Sequence, residues 1–124
     1  MKRITAFLLA ALMLLSLCAC GAKEDDFIGT WQREFDSSKS DFIRVRNRLE
    51  IYKGGTGCFT VYQYDEHTSG PWKQTNIFAG TWEVDGNILN FTTVGTDGYE
   101  LDKSTTPFSL APVAGSSHIF EKIN

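Results

Sequence analysis

Alternation of apolar and polar residues is the feature of this 124-residue chain that most restricts its fold. Between residues 43 and 52 the apolar residues occupy odd positions, and the charged residues occupy even positions. Because successive side chains of a β-strand point to opposite faces, this period of two predicts a strand with one buried face and one solvated face. We predict that the arginines of the segment, Arg44, Arg46 and Arg48, point outward. In the alternative orientation, the same stripe would form an internal anion site.

Turn sequences separate further strand-like runs along the chain. Asp85-Gly86 lies between the runs 74–84 and 88–94. It indicates a β-hairpin, because a type I′ turn needs a positive φ at both central positions. The other runs share β-branched and aromatic residues, which fit strands. The further turns are predicted at 53–57 and 96–98, one helical turn at 36–41, and the remaining strand-like runs at 58–64, 99–103, 108–111 and 118–123.

The order of these runs predicts the fold class. Strands that follow one another through short turns form an antiparallel up-and-down meander, and such a meander has to hide its apolar face. Closure into a barrel hides this face and also removes exposed strand edges. We predict an all-β domain that closes into a small barrel of 7–8 strands, with the prolines around 108–111 limiting that run to an edge or interrupted strand.

Aromatic residues are the main candidates for a binding role. A barrel of about eight strands has an interior wide enough for side chains or for one small ligand. The predicted ligand-binding residues are Trp31, Tyr62, Trp72, Trp82 and Phe91, which would line a site for a small hydrophobic molecule. The alternative is that the same rings fill the barrel. Trp72, beside a proline in a Gly/Ser/Pro loop, is the best candidate for a contact at the rim.

Composition argues against several classes of function. The chain has 12 Lys and Arg against 15 Asp and Glu, and this acidic balance disfavours nucleic acid as a partner. His67 and His118 are far apart in sequence, and no His or Cys spacing is typical of a metal site. Cys58 has no visible basic neighbour that would activate it, so we interpret it as a small buried residue on a strand rather than as a reactive thiol. We predict no catalytic residues, no cofactor and no enzyme activity.

The N-terminal segment resembles the signal sequence of bacterial lipoproteins. Lys2 and Arg3 precede an apolar run that is too short to span a bilayer, and Leu17-Cys18-Ala19 stands before Cys20 as in a lipobox. The resemblance implies cleavage before Cys20 and a diacylglyceryl group on its sulfur. The expected organisation is a signal peptide at 1–19, a lipidated tether at 20–26 and the folded domain at 27–124. The protein would then be held on the extracytoplasmic face of the cell membrane.

A second resemblance concerns the folded domain. Gly29-Thr30-Trp31 is similar to the Gly-x-Trp signature of lipocalins, in which the tryptophan closes one end of an eight-stranded barrel. The phrase Gly80-Thr81-Trp82 repeats it, and the segment 80–87 looks like the mid-domain hairpin of short bacterial lipocalin-like lipoproteins. Lipocalins place a late arginine on the first tryptophan, and here Lys122 is the available cation. Duplication of a half-domain and chance both remain open as origins of the repeat.

Together these observations predict a membrane-anchored, non-catalytic binding module for a small apolar ligand. The alternative is an envelope protein-interaction or structural domain whose barrel is filled by side chains. The sequence leaves the ligand, the oligomeric state and the choice between a one-membrane and a two-membrane host undetermined.

Overall fold

The strands of this chain form one closed barrel of eight antiparallel strands, in which each strand pairs with its neighbours in sequence and β8 pairs with β1. The computed structural model describes residues 22–124. A single-turn helix, α1, precedes the barrel. The elements are α1 Glu24–Phe27, β1 Gly29–Asp36, β2 Ile43–Ile51, β3 Thr56–Asp65, β4 Lys73–Asp85, β5 Ile88–Thr92, β6 Thr96–Asp102, β7 Ser109–Pro112 and β8 Phe120–Lys122. The predicted up-and-down barrel is confirmed.

The strand register decides which side chains point into the barrel. Leu49 lies opposite Trp31 on β1 and opposite Phe59 on β3, so these three share the inner face. Residues directly opposite each other in an antiparallel pair point to the same side of the sheet. The even positions of β2 therefore face solvent, where Arg44 and Arg46 form ion pairs with β1 carboxylates. The predicted outward orientation of the β2 arginines is confirmed.

Three local predictions are wrong. Residues 96–98 belong to β6, and the turn lies at 93–95, where the Thr93 amide donates to the Gly95 carbonyl. The predicted helical turn at 36–41 is replaced by the end of β1 at Asp36 and by turns after it, because the Ser37 side chain accepts the Lys39 amide and competes with helical bonding. The run around 109–112 is not an edge strand. Barrel closure places β7 between β6 and β8.

One end of the barrel, called here the closed end, is filled by apolar side chains. It comprises α1, the turns at 52–55 and 86–87, and the loop at 103–108. Phe27 and Trp31 are fully buried there, and the Trp31 Nε1 group donates to the Phe27 carbonyl over 2.9 Å. Trp82 Nε1 donates to the Tyr52 carbonyl over 2.8 Å. Each indole thus buries its apolar rings and satisfies its one donor. Further buried residues of the barrel core are Leu49, Ile51, Leu89, Leu101, Leu110 and Phe120.

The opposite end, called here the open end, has walls of unequal height. β4 pairs with β3 from Lys73 to Thr81 but pairs with β5 only from Thr81 onward. β1 likewise continues past its short ladder with β8, which involves Trp31 and Gln32. Strands β1–β4 therefore rise above β5–β8. The loops at 37–42, 66–72, 93–95 and 113–119 surround this open end.

Candidate functional site

A cavity of about 370 Å³ occupies the open end of the barrel. Its strand residues other than Gly98 are inward-facing by register, and a stretch of the loop after β7 covers one side. The lining consists of Arg33, Phe59, Phe78, Phe91, Thr93, Asp97, Gly98, Tyr99, Pro112, Ala114, Gly115 and Ser116. Apolar walls with a few convergent polar groups are the usual composition of a small-molecule site.

The Phe91 ring forms the base of the cavity. It is almost fully buried and lies against two glycines that face each other across β3 and β4, Gly57 and Gly80. A Cβ atom at either glycine would come within 2.9 Å of the ring, so the absence of side chains there makes room for it. The ring thereby separates the filled closed end from the empty space above it.

Arg33 brings a positive charge into this apolar space. Its Nε group donates to the Asn47 side-chain oxygen over 2.8 Å, and its Nη1 group donates to the His118 carbonyl over 2.9 Å. The guanidinium carbon lies 4.3 Å from the centre of the Phe120 ring, which gives a cation–π contact. Asn47 is itself 4% exposed, so a buried amide on β2 holds the arginine in place. Burial lowers the pKa of Arg33, and Tyr99 and Asp97 partly oppose this effect.

Asp97 and Tyr99 add a carboxylate and a phenol to the same cavity. Asp97 is exposed at the rim, opposite Phe91 on β5, whereas Tyr99 is buried below it. Burial raises the pKa of the Tyr99 hydroxyl, with Asp97 adding to the increase and Arg33 opposing it. The phenol is therefore neutral near pH 7 and is able to donate a hydrogen bond. The site thus offers one cation, one carboxylate and one neutral phenol beside its aromatic walls.

The structure does not bring the five predicted ligand-binding residues together. Phe91 lines the cavity, whereas Trp31 and Trp82 lie inside the closed end. Tyr62 lies on the outer face, because it pairs with the outward-facing Arg46. Trp72 also lies outside, with its ring 4.1 Å from the Arg46 guanidinium carbon. Of the five, one is placed where it would touch a ligand in the barrel.

Arginines and aromatic rings alternate on that outer face. Arg46 is held between Trp72 and the Glu34 carboxylate, at 2.5 Å from the latter, and Arg48 lies over Tyr62. Tyr64 extends the row, with its ring centre 5.4 Å from that of Trp72. Because of these contacts, Trp72 in its loop and Tyr62 on β3 are half-buried, although neither side chain reaches the barrel interior.

Sequence reasoning missed most of the cavity residues, although Arg33 had a detectable pattern. Arg33 stands two positions after Trp31 on β1, so both side chains point to the same face of the strand. If Trp31 points into the barrel, Arg33 does so as well. A charged residue on the inward face of a strand is unusual and therefore indicates a candidate site residue. The other missed side chains, Phe59, Phe78, Tyr99 and Pro112, come together through pairing between distant strands, which the local pattern does not specify.

Two further residues with reactive side chains, Cys58 and His118, make ordinary packing contacts. Cys58 lies on β3, half-buried on the outer face, with its Sγ atom 3.8 Å from the Thr60 hydroxyl oxygen. The His118 ring stacks on Phe35 with 4.2 Å between ring centres. Within residues 22–124, no group of three or more His, Cys, Asp or Glu side chains is arranged to hold a metal ion. No helix of that same region combines the length and apolarity that a membrane crossing requires.

Lys122, near the end of the chain, lies beside the first tryptophan. Its Nζ atom lies 5.5 Å from the centre of the Trp31 ring and donates to the Asp26 carbonyl over 3.2 Å. β8 places it directly opposite Trp31. The cation therefore fastens the C-terminal strand to the first tryptophan and to α1.

Comparison of this chain with protein-family models, curated proteins and solved structures gives no match. Function has to be inferred from the geometry of the site itself.

Proposed function

We propose that this protein is a lipid-anchored, extracytoplasmic binding module that holds a small apolar ligand in the open end of its barrel. The observation that carries the proposal is the cavity of about 370 Å³ above Phe91. The closed end is filled to the barrel axis, so the open space inside the barrel lies at the open end. A non-catalytic role is consistent with the lining, which pairs aromatic walls with only three ionisable side chains, Arg33, Asp97 and Tyr99.

The proposed anchor rests on residues 1–21, which lie outside the described residues. The lipobox-like sequence before Cys20 supports acylation of that cysteine, and two or more acyl chains hold a protein stably on a membrane. A lipocalin-like relationship is part of the same proposal. Its support is the Gly29-Thr30-Trp31 opening of β1, with Trp31 at the closed end and Lys122 over its ring.

The first described residues give the proposed anchor a direction. The last part of the predicted tether lies against the barrel, because the Ala22 amide donates to the Asn87 side chain and α1 covers the closed end. Asp26 also forms an ion pair with Lys103 at 3.2 Å. Cys20 precedes Ala22 by two residues, a span of about 7 Å when extended. The closed end would therefore face the membrane, and the cavity would open toward the aqueous side.

Mass spectrometry of material that co-purifies with the native, membrane-extracted chain tests the binding role. Ala114→Trp places a large ring at the cavity opening, and Ala79→Trp makes the same change at an exposed, outward-facing position of β4. We expect a small apolar molecule with the native chain and with Ala79→Trp, and its loss from Ala114→Trp. The same molecules in all three samples, or none in any, would contradict the proposal.

Metabolic labelling with a palmitate analogue tests the anchor separately. Label is expected on the native chain and on Cys58→Ala, and it should be absent from Cys20→Ala. Equal labelling of both variants would place the acyl group elsewhere.

A second candidate function is partner binding, favoured by the free edge of β4. Among the described residues, Lys73–Ala79 pair only with β3, and Ile77 and Phe78 are 58% and 42% exposed. An exposed strand edge is a template for an added strand. A photo-crosslinking residue at Ile77 should then capture a polypeptide in the native envelope. The same residue at Thr81, where β4 pairs with both β3 and β5, should not.

A further inference from the structure

Arg33 is a half-buried cation in a cavity with aromatic walls, and it has no ion-pair partner of its own. Among residues 22–124 the ion pairs involve Arg44, Arg46 and Lys103, and none involves Arg33. A charge removed from water is normally compensated by an opposite charge, because its desolvation is costly. The nearby carboxylate of Asp97 interacts with Arg33 only through longer-range attraction. The cavity therefore contains a positive charge that a ligand is able to neutralise.

The guanidinium is also held in a fixed orientation. Nε is bonded to Asn47, Nη1 is bonded to His118, and the face of the group rests on Phe120. Among the described residues, Nη2 has no hydrogen-bond acceptor in this arrangement. A planar guanidinium whose other contacts are satisfied presents its remaining N–H groups with little loss of conformational freedom.

The cavity around this group has a consistent polarity. Phe59, Phe78 and Phe91 supply apolar surface, and Arg33 supplies hydrogen-bond donors beside them. The Tyr99 hydroxyl, neutral near pH 7, adds a donor in the same lining. The donors Arg33 and Tyr99 are thus more buried than the carboxylate of Asp97, which is exposed.

Resting on the proposed binding function, we infer that the ligand is a small amphipathic monoanion, with an apolar body against the phenylalanines and a carboxylate-type head group bound by Arg33. Asp97 limits the ligand to a single negative charge, because its carboxylate repels a second one at the rim. The ligand class is thus a short aryl or alkyl carboxylate rather than a neutral hydrocarbon or a phosphate dianion.

Two probes with the same carbon skeleton test this inference, 4-phenylbutanoate and 4-phenylbutan-1-ol. The full chain is purified from membranes, held in lipid nanodiscs and titrated by calorimetry, with empty nanodiscs as the blank. We expect the anion to bind more tightly than the alcohol. Arg33→Gln should weaken binding of the anion about tenfold or more, the loss typical of a charge-assisted hydrogen bond, and change binding of the alcohol less than about twofold.

Arg44→Gln is the matched control, because it removes the same charge from the outer face of β2, where Arg44 pairs with Asp36. It should leave the affinity for both probes unchanged within about twofold, since exposed charges are screened by salt. A loss of anion binding in Arg44→Gln equal to that in Arg33→Gln would assign the effect to net charge and overturn the inference.

Asp97→Asn supplies a test that does not depend on the fold of the Arg33 variant. Arg33→Gln disturbs bonds to Asn47 and His118, whereas no hydrogen bond of the Asp97 side chain is found among the described residues. Removing the rim carboxylate should tighten binding of the anion about two- to threefold and leave the alcohol unchanged. Unchanged anion binding in Asp97→Asn would overturn the inference.

The outcomes separate the two levels of the proposal. Equal affinity of the native chain for both probes, retained in Arg33→Gln, overturns the anionic head group and leaves the apolar binding function standing. Binding of neither probe by the native chain contradicts the binding function itself. Tighter binding of the anion, lost in Arg33→Gln and strengthened in Asp97→Asn, supports both.

Discussion

The two ends of this barrel are built from the same strands but use their inward positions differently. At the closed end, inward residues such as Trp31 and Leu89 are fully buried and fill the space to the axis. At the open end, the inward positions include Arg33 and Asp97, and a cavity of about 370 Å³ remains between them. The same alternating pattern thus gives two results. Where all eight strands are present around the axis, the inward side chains fill the core. Where β5–β8 have ended and β1–β4 continue, they leave a cavity with polar groups beside its aromatic walls.

The comparison shows where stability and binding are separated. Apolar burial contributes about 25 cal/mol per Å² removed from water, so most of the folding free energy comes from the closed end. The open end contributes less, and its exposed aromatic surface remains available to a ligand. Ligand sites commonly lie in the less stable part of a structure.

The largest expected effect is the contrast between Trp31→Ala and Phe78→Ala. Trp31 is fully buried and its Nε1 donates to Phe27, so its truncation should lower the free energy of unfolding by about 3–5 kcal/mol. Phe78 is 42% exposed, so its truncation should cost about 1 kcal/mol or less. Urea denaturation of both variants measures the difference. Similar losses in the two variants would show that the ends are equally stabilising.

An intermediate effect is expected at Asn47, the buried amide that accepts a hydrogen bond from Arg33. Asn47→Ala leaves the Arg33 Nε without its acceptor, which should lower the free energy of unfolding by about 1–3 kcal/mol. Asn90→Ala, on the outward phase of β5, is the matched control and should cost less than about 0.5 kcal/mol. Equal values in urea denaturation would remove the special role of Asn47 in holding the arginine.

The smallest effect is expected at Asp26, which fastens α1 to the closed end. A hydrogen bond from the Lys23 amide lowers the pKa of Asp26, and Lys103 adds to this, although burial opposes it. A lowered pKa in the folded state stabilises the fold at pH values above the ordinary 3.8 and loses that contribution as pH falls through the folded-state value. Asp26→Asn should therefore lower the melting temperature slightly at pH 6.

The pH dependence decides whether the Asp26 charge is responsible. The difference from the native chain should shrink below about pH 4. It should stay under about 1 kcal/mol throughout, because the Lys103 pair is accessible to solvent. A difference that persists unchanged at pH 2–3 would assign the effect to packing of α1 and not to ionisation.

Part of this molecule follows from local sequence alone. The alternation in β2, the glycine turn after β4 and the short connections specify an antiparallel meander, because strand period and turn chemistry act between neighbours in sequence. The turn itself is Gly86-Asn87 and not the predicted Asp85-Gly86, since Asp85 pairs with Ile88 and only Gly86 has a positive φ. The outward direction of Arg44 and Arg46 follows from the same alternation. The local pattern predicts the wrong structure at residues 96–98. This turn-like sequence forms the start of β6, because Thr96 pairs with Thr92.

Only the tertiary structure decided which residues form the site. Tyr62 and Trp72 lie outside because the register of β3 against β2 sends them toward Arg46. Phe59, Phe91 and Tyr99 meet because barrel closure brings β3, β5 and β6 around one axis. A period of two assigns a residue to one of two faces, but the height of that residue in the barrel depends on pairing across the whole sheet. The cavity itself depends on the unequal lengths of the two walls, which no single segment encodes.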